Sequence, residues 1–189
     1  MSREERAAAT RERLLAAARE LFAERGYASV GTEEVVRHAE VTRGALYHHF
    51  RDKRDLFRAV HEEIEAGLVE RIAAEIAGIE DPQQLLRAGI GAFLDSVADP
   101  TVMQIALTDA PAVLGWAEWR EIDAKYGLGL VSGALTLAME TGYIERQPIE
   151  PLAHLLLGGM GEAAMLIANG SSREDVERPL IALVEGLSS

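Results

Sequence analysis

Thr42-Arg43-Gly44-Ala45-Leu46-Tyr47-His48-His49-Phe50 is the stretch from which the rest of this chain can be read. Thr42 suits a helix start, because its side-chain oxygen can take up a backbone N–H that has no partner within the helix. The residues after it suit a helix of about two turns. Leu46 and Phe50 stand four apart and share a face, which anchors such a helix to a core. The other faces carry Arg43, Tyr47 and His48, all hydrogen-bond donors. A short helix with an apolar anchor and a donor-rich outer face suits the DNA major groove.

The flanks point the same way. Upstream, Thr32-Glu33-Glu34-Val35-Val36-Arg37-His38-Ala39 reads as a second short helix capped by Thr32, with its glutamates in the first turn, where the helix dipole favours them. Glu40-Val41 leaves a tight link, as in a helix-turn-helix. Downstream, Arg51-Asp52-Lys53-Arg54-Asp55 opens another helix with Asp52 as its cap. Residues 10–57 resemble the N-terminal DNA-binding domain of the tetracycline-repressor (TetR) family of bacterial regulators. The resemblance is carried by Ala17, Leu21, Phe22, Gly26, Tyr27, Thr32, Val35, Ala39, Val41, Thr42, Gly44, Leu46, Tyr47, His49, Phe50, Lys53 and Leu56, and the LYHHF-x-x-K run at 46–53 is its specific part. It implies that Thr32, Thr42, Tyr47, His48 and Lys53 touch phosphates and that Arg43 with Gly44 faces base edges. The family usually has Gly where this chain has Glu40. Glycine there permits a positive φ, so Glu40 is expected either to bear strain or to alter the turn.

Composition bounds the rest. With 189 residues, one or two small domains are expected, and an apolar fraction of 48% is enough for a core. The chain has no cysteine, which excludes disulfides, thiol catalysis and Cys-ligated zinc. No uninterrupted apolar run reaches the roughly 18 residues of a membrane span, and the N-terminus has no apolar signal region. A cytoplasmic protein without a membrane partner is the expectation. The net charge of −12 is unevenly placed. Residues 1–60 hold 12 Arg/Lys against 10 Asp/Glu, whereas residues 61–189 hold 7 against 21. A DNA face would therefore be local, with few phosphate contacts.

In chain order the pattern is helical throughout. Residues 1–9 read as frayed. An amphipathic helix follows from Thr10 to Arg25 and ends at Gly26. A long helix runs from Lys53 to about Ala77 with Leu56, Val60, Ile64, Leu68, Ile72 and Ile76 every four residues. A domain boundary is placed inside it near residue 60. Asp81-Pro82 and Asp99-Pro100 each open a helix. A further helix spans about Trp116 to Thr141, where Gly127, Gly129 and Gly133 permit close approach. Pro148 and Pro151 open the next, closed by Gly170. Ser171-Ser172-Arg173-Glu174 fits a capping box for the last, which Pro179 should kink or split.

Several groupings have both a plain and a functional reading. His61 and Glu65 lie one turn apart, but with no third ligand they read as a solvated face, and no metal site, catalytic set or cofactor is expected. The segment Leu152–Ala168 is apolar nearly all round, which requires burial on every side. His154, Gly158, Gly161, Glu162 and Met165 gather on one side of it. With Leu180, Leu183, Val184 and Leu187 they form the expected homodimer interface; the plain alternative is intradomain core. Phe93, Met103, Leu107, Trp116, Trp119, Tyr126 and Met160 suit an adaptable apolar pocket and equally a filled core. The resemblance favours the pocket, because family members commonly bind a small effector in this domain. Glu118, Glu121 and Asp123 beside the tryptophans would favour a cation, although a solvated face is the simpler reading.

The sequence thus predicts an all-α protein of about nine helices. A three-helix helix-turn-helix domain (1–60) would precede a helical effector-binding and dimerisation domain (61–189). The expected function is a DNA-binding transcriptional regulator, a repressor, that binds a near-palindromic double-stranded operator as a dimer. A mainly apolar small molecule of drug-like size would release it. A ligand-free architectural DNA-binding dimer is the alternative, to be favoured by a fully packed C-terminal core. An all-helical enzyme finds no paired catalytic residues to support it.

Overall fold

The computed structural model describes residues 2–188 and is helical almost throughout. The helices are α1 (Arg3–Arg25), α2 (Thr32–His38), α3 (Arg43–His49), α4 (Lys53–Ile76), α5 (Pro82–Val97), α6 (Pro100–Val102), α7 (Ala110–Leu114), α8 (Trp116–Glu140), α9 (Ile149–Ala168) and α10 (Arg173–Glu185). A π-helical stretch, Met103–Asp109, joins α6 to α7. Among the described residues the only bridge of extended type pairs Ile144 with Ser188.

Local chemistry sets most of the ends. α1 starts earlier than the periodicity suggests. The Glu5 N–H donates to Ser2 Oγ at 3.0 Å and the Ser2 N–H to Glu5 Oε2 at 2.7 Å. This reciprocal cap extends the helix through residues expected to fray. Asp81 accepts the Gln84 N–H at 2.7 Å and Pro82 follows at the first helical position. The last helix is capped by Ser172, whose Oγ takes the Asp175 N–H at 3.1 Å, one residue later than expected. Pro179 lies inside α10 without splitting it. α2, α7 and α9 have no side-chain cap; in α2 Gly31 holds the cap position and Thr32, the expected cap, is already helical.

The chain divides into two compact units, and the division is not the one at residue 60. Residues up to Ile64 group with Pro100–Trp119, and Glu65–Asp99 groups with the residues from Arg120 onward. The reason is specific bonding of 100–119 to the front of the chain. Asp109 Oδ2 accepts the Tyr27 N–H at 2.7 Å. Arg54 donates to the carbonyls of Val113 at 3.2 Å and Leu114 at 3.0 Å, and to Glu118 at 2.6 Å. Arg58 Nε also reaches Glu118, at 3.0 Å.

The first unit closes on Leu14, Ala18, Phe22, Val35, Leu46, Leu56 and Phe57, all essentially inaccessible to solvent. Phe22, Tyr27 and Phe57 pack mutually, with centroids 5.0 to 5.6 Å apart. Such pairs add about 0.5–1.5 kcal/mol each beyond area burial. The π-helical stretch completes the core with Ile105, Ala106 and Leu107. The Ala110 N–H bonds to Ile105 O, and Pro111 has no N–H to give Ala106 O. The Trp119 indole takes that carbonyl instead, at 2.9 Å.

The second unit has two apolar clusters. Ile90, Leu94, Ala163, Val176, Leu180 and Val184 form one, and Leu135, Ala138, Met139, Ile144, Leu152 and Ala153 the other. α9 has a mean hydropathy of 1.4 over 18 residues, long and apolar enough by length and composition alone to cross a membrane, although Glu150, His154 and Glu162 interrupt its apolar run. Its composition has a plainer cause here. Leu152, Ala153, Leu157, Ala163 and Ala164 are buried in this unit, while Leu155 and Leu166 on the opposite face are exposed.

Candidate nucleic-acid interface and ligand cavity

The α2–turn–α3 segment presents a polar surface on an apolar base. Thr42 caps α3 by accepting the Ala45 N–H at 3.2 Å. Leu46 and Phe50 are buried, and Thr42, Arg43, Gly44, Tyr47 and His48 are exposed. Arg43 lies over the Tyr47 ring at 5.6 Å and is paired with Glu33 at 3.3 Å. An arginine held so loosely at the surface can exchange its partner for a base edge or a phosphate. His49 is half-buried against His48 and Phe50. Burial, then the charges of His48 and Arg11, lowers its pKa, and its packing makes it part of the base of the helix.

Two expected contacts are placed differently from the outward-facing set. Thr32 is half-buried at the start of α2. Lys53 is half-buried, donates to the Tyr27 carbonyl and sits 3.9 Å from the Tyr27 ring centre. Burial lowers its pKa, and nearby Asp109 partly offsets that. Lys53 therefore braces the Tyr27 turn as well as standing at the head of α4. Asp52 caps α4 through the Asp55 N–H at 2.8 Å, and Asp55 reaches back to the Arg51 N–H at 3.0 Å. Glu40 in the link between α2 and α3 has φ +52°, the only positive φ at a non-glycine among the described residues. The strain expected at this position is present.

A cavity of about 80 Å³ lies within the second unit, walled by α4, α5, α8, α9 and α10. Phe93 and Met160 line it. The other residues expected there do not. Met103, Leu107, Trp116 and Trp119 belong to the first unit. Trp119 and Leu107 are core residues there, Met103 is half-buried, and Trp116 is 61% exposed. Tyr126 is on α8 beside Lys125, off the wall. The lining is instead aliphatic, from Ile72 and Ile76 on α4 to Leu130 and Val131 on α8, with two acids, Glu65 and Asp123. Gly127 lets α8 and α9 approach, since a Cβ there would stand 2.8 Å from Leu157 Cδ1. Gly129 and Gly133 face open space and serve no such approach within the chain.

His61 and Glu65, expected on a solvated face, are not: His61 is fully buried and Glu65 half-buried. Glu65 falls on the stripe of Leu68, Ile72 and Ile76, where an apolar residue would be expected. Burial pushes the Glu65 carboxyl up to about 8, with the charge of Asp123 adding to it. Burial likewise pushes Asp123 up to about 6, partly offset by Arg120. Arg120 is ion-paired with Asp123.

The expected dimer surface is also rearranged. Leu180 and Val184 face the cavity and the core, not outward. Gly158 and Gly161 lie under the Arg120 guanidinium, where a Cβ would meet Nη2 at 3.6 Å and Nη1 at 3.3 Å respectively. Their smallness admits that side chain. Met165 and Leu187 are half-buried. His154, Glu162 and Leu183 remain exposed, and the reading missed their neighbours Leu155, 73% exposed, and Leu166, 44% exposed. Among the described residues no group of three or more His, Asp or Glu is arranged to hold a metal.

Comparison with known proteins agrees with this anatomy. Residues 14–60 match the family of bacterial regulatory proteins, tetR family, and residues 83–189 match the tetracyclin repressor-like C-terminal domain. The transposon Tn10 TetC protein of Escherichia coli is 25% identical over 94% of this chain and 89% of its own length. The transcriptional repressor BepR of Brucella suis is 36% identical over 54% of this chain and 49% of its own. The crystal structure of a TetR-family transcriptional regulator from Pectobacterium atrosepticum superimposes with a TM-score of 0.83 at 34% identity, covering 100% of this chain and 98% of that one. A helix-turn-helix with a donor-bearing second helix, the all-helical fold and matches along most of the chain converge on one conclusion: this protein belongs to the TetR family of transcriptional regulators, not to a family of enzymes.

Proposed function

We propose that the protein is a cytoplasmic repressor that binds a near-palindromic operator as a homodimer and leaves it when a small, mainly apolar molecule enters the cavity of the second unit. The observation that carries the DNA reading is α3, with Leu46 and Phe50 buried and Arg43, Tyr47 and His48 exposed. Arg43 with Gly44 reads base edges, and Thr32, Thr42, Tyr47, His48 and Lys53 serve the backbone. A relative named as a repressor supports the sign of regulation. The exposed leucines of α9 and α10 support self-association, with the two recognition helices about 34–36 Å apart on successive turns of DNA.

The cavity favours effector control over the ligand-free alternative, because the C-terminal core is not fully packed. Its volume of about 80 Å³ is below the roughly 300–1,000 Å³ of drug-sized sites. The effector is therefore smaller than drug size, or its entry parts the walls. α4 carries Lys53 at one end and the cavity residues Ile72 and Ile76 at the other. A ligand that prefers the DNA-incompetent state, with a coupling of about 1–3 kcal/mol, changes operator affinity roughly 5–150-fold.

Protection of the DNA upstream of its own gene tests this reading. A protected site with two-fold symmetry and steep salt dependence is expected. Equal affinity for that DNA and for random duplex overturns it.

A further inference from the structure

On α5, Leu85, Leu86, Ile90 and Phe93 line the cavity of the second unit, and Gly89 lines it at the centre of the same stripe. Positions 85, 89 and 93 stand one above another on a helix, so a side chain at 89 would project into the same space. A Cβ at Gly89 would have nothing within 4 Å beyond its chain neighbours and its own helix's backbone. Glycine inside a helix is destabilising relative to alanine, and so is an unfilled cavity. At Gly127, on the same wall, close contact with Leu157 accounts for the glycine. Among the described residues no such contact accounts for Gly89. The α5, α9 and α10 walls carry no ionisable group, so a charge placed against them would be uncompensated.

We propose that Gly89 sets the size of what the cavity accepts, and that the ligand is an uncharged molecule whose hydrocarbon body lies against the bare α5 backbone between Leu86 and Phe93. The inference rests on the cavity being the effector site. The ligand fills the space that a side chain at position 89 would take, and regains the burial that the glycine forgoes. The void of about 80 Å³ is smaller than the roughly 150 Å³ of an apolar cavity that stays dry and binds benzene. A body of few carbons therefore fits the walls as they stand, and each further methylene must part them. Affinity climbs about fourfold per methylene up to a chain length at which the gain stops. Each carbon added at position 89 lowers that limit.

Calorimetric titration of the full chain with the alkan-1-ols from propanol to octanol, and with hexanoate, tests this. The series is repeated with Gly89→Ala, Gly89→Leu and, as a control, Gly133→Ala. Gly133 lies on α8, faces open space and is off the cavity wall. In the wild type, affinity should rise with chain length and then level off, and hexanoate should bind about tenfold or more weakly than hexan-1-ol. Gly89→Ala should level off about one carbon earlier, the methyl it adds. Gly89→Leu should bind none of the alcohols while melting no lower than the wild type. Gly133→Ala should level off where the wild type does. Should Gly89→Leu fail to fold, the Gly89→Ala series decides alone. If the wild type shows no such limit, or Gly89→Ala shares it, Gly89 does not gauge the ligand and the proposal is overturned, while the effector site stands. If hexanoate binds as tightly as hexan-1-ol, the uncharged class is overturned. If no alcohol binds at millimolar concentration, the effector reading of the cavity falls as well.

Discussion

Asp109 Oδ2 accepts the backbone N–H of Tyr27 at 2.7 Å across 82 residues of chain. This bond joins the π-helical stretch to the turn that Lys53 also braces, and a charged acceptor makes it stronger than a neutral one. Asp109→Ala should lower stability by about 1.5–3 kcal/mol, read as a fall in melting temperature. Asp109→Asn, which keeps an acceptor, should lose less. Equal melting of the alanine variant and the wild type would show that the tether carries no weight.

Glu40 bears φ +52° in the helix-turn-helix link. Such backbone costs of order 1–2 kcal/mol at a non-glycine residue, part of which the floppier unfolded chain returns when glycine replaces it. Glu40→Gly should raise stability by about 1 kcal/mol or less. It also removes a negative charge from the DNA-binding segment, so affinity for any duplex should rise. A lower melting temperature would mean that Glu40 makes compensating contacts.

Arg43→Ala should relax preference at one base pair of the operator at a cost of about 1–3 kcal/mol. Equal loss on specific and random DNA would sink that role. Lys53→Ala should weaken all sequences alike and flatten the salt slope by about one. Because Lys53 also holds the Tyr27 carbonyl, the variant should melt earlier too. An unchanged salt slope with earlier melting would make Lys53 purely a brace.

Leu155 and Leu183 are 73% and 71% exposed, so charged replacements leave the chain's own core intact. Leu155→Arg and Leu183→Arg should convert a dimer to a monomer in sedimentation and abolish operator binding at moderate protein concentration. Gly158→Leu should instead dislodge Arg120. A wild type that sediments as a monomer at micromolar concentration removes the dimer from the account.

Glu65 gives stability a readable pH dependence. Its pKa is raised by burial from 4.5 in the unfolded chain to about 8. Its contribution is therefore fully present below about 4.5 and is lost as pH rises through about 8. Asp123 has completed its change by about 6. His61, lowered by burial to about 4, acts with the opposite sign, being stabilising above 6.5 and lost toward 4. Between about 6.5 and 8, Glu65 acts without either. Stability there should fall by at most about 1.4 kcal/mol per pH unit, and Glu65→Gln should flatten the slope. A flat wild-type profile would contradict the burial of this carboxyl.

The readable parts of the fold were those set by short-range chemistry. Thr42, Asp52 and Asp81 cap the expected helices, and Gly142 and Gly170 end them with positive φ. Glu40 was marked by the glycine that it replaces. What escaped depends on contacts distant in sequence. Nothing local shows that Trp119 gives its indole N–H to Ala106, and so joins a core rather than a pocket. Leu180 and Leu183 look alike in the sequence, yet one is buried and the other bare. Of the cavity, Phe93 and Met160 were legible, whereas Glu65, an acid beside an apolar stripe, read as a solvated face.

The grouping of Pro100–Trp119 with the front of the chain limits how this protein could exchange parts with others. The DNA-reading unit is not one continuous stretch of gene. A recombination that moved codons 1–64 onto another effector module would leave behind the partners of Tyr27, Arg54 and Arg58. Heads and bodies of such regulators could be swapped successfully only when the recipient carries its own matching insert between its fifth and eighth helices. Diversification by point substitution around the cavity has no such requirement.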